Sequence, residues 1–113
     1  MPAYNFKKQF SEAVKSGRKT HTIRRKRKYP TKRGDVLFLY YGMMSKACEL
    51  LKAVTCQAVK PLSIVGMAVF IDGIELNNNE ITELAISDGF NSINEFYAFF
   101  ENYNRDLEII YWE

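Results

Sequence analysis

From Gly34 to Leu76 the chain offers one strand-type segment after another, with no regular alternation of strand and helix. That rhythm argues against a parallel α/β sheet, whose strands need crossover helices between them. Gly34-Asp35 opens the apolar run Val36 to Tyr41. Residues 43–51 are mostly apolar and fit a short helix. Lys52 to Lys60 alternates as a strand does. Residues 62–71 read as a further strand buried on both faces, with Gly66 marking a bulge or a close backbone approach. Asp72-Gly73 is a two-residue hairpin signal that leads into a short return strand.

The flanks are more helical. Phe6, Phe10 and Val14 recur every fourth residue, which predicts one apolar helix face over 4–16, and Gly17 stands where a left-handed residue would end it. Thr20 to Arg24 reads as a strand, and residues 25–33, with Pro30, as a basic loop. Glu80 to Ile86 predicts a helix, broken at Asp88-Gly89-Phe90. Ser92 with Glu95 forms a capping box for another helix, whose Phe96, Phe99, Phe100 and Tyr103 are core residues. Residues 107–112 make a closing strand. A chain of 113 residues is one domain, 1–113, and an aromatic content of 14% suits large side chains inside a small barrel. The expected fold class is α+β: a small, mainly antiparallel β-barrel with peripheral helices, closure removing exposed strand edges.

The net charge of +3 conceals a segregation. Residues 1–33 hold twelve Lys and Arg and one acid, whereas residues 34–113 hold four bases and twelve acids. A cationic side of this kind draws phosphate. The nucleic-acid-binding residues expected are Lys19, Arg24, Arg25, Lys26, Arg27, Lys28, Lys32 and Arg33; the plainer alternative is a solvated basic loop. No apolar run is long enough to span a membrane, and the N-terminus lacks a basic-then-apolar signal pattern, so the expectation is a cytoplasmic protein. Cys48 and Cys56 are expected as reduced thiols, a disulfide being the other reading. No CxxC or Cys/His spacing occurs, so no metal and no cofactor are expected. The oligomeric state is left open.

Gly17–Arg24, reading GRKTHTIR, sets a turn glycine, a lysine, a threonine and an arginine at fixed offsets. With Gly34-Asp35 and the later Asp88-Gly89-Phe90, it resembles the ASCH-domain family of the PUA-like superfamily, over most of the chain from about Tyr4 to Trp112. The family signature falls on Gly17, Lys19, Thr22 and Arg24. Threonine at the third position resembles the branch of small bacterial amidohydrolases that deacetylate N4-acetylcytidine. The resemblance implies a PUA-like barrel, an RNA or nucleoside ligand, and catalytic roles for Lys19, Thr22 and Asp88. Asp88 is one methylene shorter than the glutamate of that branch.

Two functions follow. One is a binding module with a cationic cleft beside Gly17–Arg24, the basic loop gripping RNA phosphates and Tyr40 or Tyr41 stacking a base. The other is an amidohydrolase in which Thr22 attacks and Lys19 takes its proton, or a protonated Lys19 steadies the oxyanion while Asp88 acts on water or the leaving amine. Metal-dependent RNA cleavage is a weaker third, because the acids are scattered. Both leading functions carry one geometric requirement. In an uninterrupted strand Lys19 and Thr22 point to opposite faces, so they converge only if Lys19 lies in the turn after Gly17. His21, the one histidine, falls outside the family pattern.

Overall fold

The structure, a computed structural model, describes residues 2–102 and 105–112. Its elements run β1 (Ala3–Phe6), α1 (Lys8–Ser16), β2 (His21–Arg25), β3 (Val36–Tyr41), β4 (Glu49–Val65), β5 (Ala68–Ile71), β6 (Ile74–Glu75), α2 (Asn78–Ser87), α3 (Ile93–Phe99) and β7 (Leu107–Trp112). The class is α+β, with seven strands in one mixed sheet and three helices among the described residues. None of those helices is long and apolar enough to cross a membrane. Cys48 is exposed and Cys56 buried, both as free thiols.

β4 is the spine. Its first half pairs antiparallel with β3 from Glu49 to Thr55. Its second half pairs with β7 from Cys56 to Leu62, and its last residues pair with β5. A register shift between Cys56 and Ala58 marks the change of partner. β7 then pairs with β2, and β3 with β1, the last in parallel.

β1 ends the β3 side of the sheet and β2 ends the β7 branch, and the two do not pair with each other, so the expected closed barrel is not formed. Side chains span the gap. Arg24 Nη2 donates to the Asn5 carbonyl at 2.7 Å, and Arg27 Nη2 donates to the carbonyl of Ala3. Capping an edge strand with cations is one way to keep it from pairing with another chain.

Other expectations change at particular residues. Phe6 belongs to β1 and not to the first helix: Tyr4 and Phe6 are buried and Asn5 between them is exposed, a period of two. Phe10 and Val14 alone form the buried face of α1. Residues 43–48 form turns, not a helix. The two strands expected on either side of Pro61 are one, because Pro61 stays in register opposite Glu108 and its carbonyl accepts from Asp72 N–H at 2.8 Å. The segment from 62 is not buried on both faces, since Ser63 and Val65 are exposed between Leu62 and Ile64. Gly66 is in the β4–β5 turn, not a bulge. Asp72 and Gly73 form the expected hairpin, both with positive φ.

α1 packs on β4, β3 and β1, and α2 packs against α3. Asn77 caps α2 in a reciprocal box with Glu80, and Ser92 caps α3 by accepting from Glu95 N–H. Phe10, Phe90, Phe96, Phe99 and Phe100 form a cluster with neighbouring ring centroids 5.0 to 6.2 Å apart. These rings are core, as expected; Tyr103 lies outside the described residues.

Candidate active site

The site begins with the end of α1. Gly17 takes φ +85° and its N–H bonds to the Val14 carbonyl, a turn that an L-residue adopts only under strain. Lys19 follows, its N–H held by Ala13 O at 2.9 Å, and β2 starts two residues later at His21. Lys19 is thus in the turn and free of the strand's alternation, which is the condition for it to share a cleft with Thr22.

The Lys19 side chain is 3% exposed and that of Asp88 5%. Lys19 Nζ donates to Asp88 Oδ1 and, at 2.6 Å, to the Asp88 carbonyl. Its amine also stands 5.3 Å from the Phe10 ring centre. Burial lowers the Lys19 pKa most; the charge and hydrogen bond of Asp88 push back, and Arg24 lowers it further. Asp88 is placed by α2, whose C-cap it forms. His21 was not expected in this group. Its Nε2 lies 3.0 Å from the same Asp88 oxygen but is not aligned for a hydrogen bond. His21 is buried against Tyr111 and does not line the cleft.

The cleft has a volume of about 570 Å³. It opens where β1 and β2 fail to pair, between Asn5 and Phe6 on one strand and Thr22 and Arg24 on the other. Lys19 and Asp88 form another part of its wall, and Phe10, Phe90, Phe99 and Phe100 supply apolar surface. Arg24 is held over the Phe6 ring at 4.7 Å, and its Nε donates to Thr22 Oγ1 at 2.9 Å. The threonine oxygen therefore accepts from a cation, which turns its own hydroxyl proton away from Arg24.

The basic loop is elsewhere. Arg25 ends β2, Lys26 N–H bonds to Asp106 O at 2.7 Å, and the chain leaves the cleft. None of residues 25–33 lines it; its cations are Lys7, Lys19 and Arg24. Arg27, Lys28 and Lys32 border a different hollow, and Arg33 is exposed. The expected cleft rimmed by the whole basic run is therefore two separate surfaces. Tyr40 and Tyr41 line neither, while Tyr29, within the loop, is 81% exposed. Among the described residues no three His, Cys, Asp or Glu side chains gather as a metal site would require.

No protein-family model matches the chain, and no curated protein matches it in sequence. Among solved structures, an ASCH protein from Zymomonas mobilis is similar, with a TM-score of 0.59 over 97% of this chain at 15% identity. This chain has the ASCH fold. The match covers 64% of the Zymomonas mobilis chain, so the ASCH fold seen here spans under two-thirds of that protein's length. Gly17, Lys19, Thr22 and Arg24 sit in the ASCH fold at the junction of α1 and β2. The aromatic lining and the Asn5 carbonyl were the features not anticipated; the Tyr4-Asn5-Phe6 alternation was the one signal, overridden by the helical spacing of Phe6, Phe10 and Val14.

Proposed function

We propose that the cleft takes an acylated nucleoside such as N4-acetylcytidine and hydrolyses its amide, with Lys19, Thr22 and Asp88 as the reacting group. The observation carrying this reading is the convergence of an amine, a hydroxyl and a carboxylate, the last from 69 residues further along the chain, on one largely apolar cleft. A volume of about 570 Å³ suits a small organic ligand. Lys19 is matched by Asp88 and Arg24 is engaged with Thr22 and Asn5, an arrangement that favours a neutral substrate over a phosphate.

In this mechanism Thr22 Oγ1 attacks the acyl carbon and its proton passes to Lys19 as Lys19 hands one of its own to Asp88 Oδ1, to which it is hydrogen-bonded. The carbon–nitrogen bond breaks as Lys19 returns the proton to the leaving amino group. Water then cleaves the acyl-threonine ester, restoring the hydroxyl and releasing acetate. Asp88 orients Lys19, and the Arg24 guanidinium stabilises the oxyanion.

Incubation with N4-acetylcytidine, followed by chromatography, is expected to yield cytidine. Thr22→Val lowers the rate by about 10²-fold or more, the usual scale for losing a positioned catalytic group, while Thr22→Ser retains part of it. No cytidine from a stoichiometric amount of protein would end this reading. A second reading, RNA contact through the basic loop, is favoured by the exposure of residues 25–30, 32 and 33.

A further inference from the structure

A hollow of about 710 Å³ lies beside the start of the basic loop and shares no lining residue with the cleft. Its polar lining is Lys26, Thr31, Ser63, Asp106 and Glu108; Val59, Leu62 and Ile64 give it an apolar wall. Glu108 is unusual. It sits in β7 opposite both Arg24 and Pro61, is 6% exposed, and its Oε1 has no hydrogen-bond partner among the described residues. A buried carboxylate oxygen without a donor is costly, and such a group calls for an explanation outside the packing. Thr31 beside it is 3% exposed, with its hydroxyl 2.5 Å from that of Tyr4.

We propose that this hollow binds the amino-bearing edge of a nucleobase, Glu108 accepting from the exocyclic N–H of cytosine or adenine while Lys26 meets the nucleotide's phosphate. The site rests on the second reading above, in which the basic loop contacts nucleic acid. The charges select the ligand. Lys26 and Arg27 act on Glu108 through their positive charge and disfavour a cationic amine there. A neutral amino group joined to an anion answers both. Acceptance from cytosine N4 is a known use of glutamate in base recognition. Uracil fits less well, because its ring N–H is flanked by two carbonyls that a carboxylate repels.

The test is a titration of the ¹⁵N-labelled full chain with cytidine and uridine 5′-monophosphates. Cytidine monophosphate is expected to move the amide signals of Thr31, Leu107 and Glu108 and to bind about fivefold more tightly than the uridine compound, near 1 kcal/mol. Glu108→Gln brings that ratio to about one, Glu108→Leu is the second variant should the first misfold, and Lys26→Gln weakens both nucleotides alike. Equal binding of the two by the wild type overturns the proposal, as do signals that move only at Lys19, Thr22 and Phe90 or at no residue. Such a failure with RNA still held by the loop spares the loop reading. A cytidine preference at Thr31 without RNA binding supports this site and removes the loop as an RNA contact.

Discussion

The Lys19–Asp88 pair is the residue on which the cleft turns, and it is buried on both sides. A buried ion pair is poor evidence of stability, but breaking one leaves an uncompensated charge. Lys19→Met is therefore expected to destabilise the protein by about 3–5 kcal/mol in urea denaturation, and adding Asp88→Leu to recover much of that loss. A cost below about 1 kcal/mol would mean that His21, at 3.0 Å, has taken over the carboxylate. Glu108 gives the opposite sign. Burial raises its pKa above the usual 4.5, with Lys26 and Arg27 opposing. Its contribution is thus most favourable below the unfolded value and is lost as pH rises through the folded one. Glu108→Gln should be more stable than wild type at pH 7, with the difference vanishing below about pH 4.5, measured as urea midpoints at the two pH values. Lys19, Thr22 and Arg24 were legible because they fall within six consecutive positions that follow a turn. The approach of His21 to Asp88 was not, since it depends on where α2 ends in space.

At the scale of elements, the α2–α3 connection fixes where Asp88 points. Gly89 takes φ +106°, and a Cβ there would stand 2.6 Å from Phe10 Cδ1. Phe10 has no room to yield, because Phe90 and Phe99 pack against it at 5.3 and 6.1 Å. Gly89→Ala combines left-handed strain with overpacking and is expected to cost at least about 2 kcal/mol, lowering the melting temperature by roughly 8 °C or more in a thermal scan. The cap of α3 was readable because its bond is local, Ser92 with Glu95, whereas α2 starts at Asn78 under an Asn77 cap, two residues before the Glu80 at which its apolar pattern begins. β1 was not readable. Its Phe6 falls at helical spacing from Phe10 and Val14, and what makes it a strand is parallel pairing with β3 more than thirty residues away. The patterns of Lys52–Lys60 and of residues 62–71 predict two strands, but β4 runs through Pro61 between them. Pro61 stays in register opposite Glu108, and the ladder tolerates its missing donor.

For the molecule as a whole, the α+β class followed from patterning, but closure did not. Whether two end strands meet depends on twist and tilt summed over the sheet, which no local pattern records. Here they stay apart, and the opening between them is the cleft. The charge segregation, by contrast, was legible as composition and survives folding as an exposed loop: Lys28, Lys32 and Arg33 are all exposed and lie outside the cleft. Binding of single-stranded RNA through this loop releases counterions, so affinity falls as salt rises, by about 0.7 in logarithmic slope for each phosphate neutralised. Changing Lys28, Lys32 and Arg33 together to glutamine removes three such contacts and should flatten the slope by about 2, measured by fluorescence anisotropy between 50 and 200 mM salt. The hydrolysis of N4-acetylcytidine should be untouched by the same changes, because a neutral nucleoside in the cleft meets none of the three. An unchanged slope would place RNA contact on another surface. A fall in hydrolysis that tracked the slope would mean that the loop and the cleft hold one ligand between them.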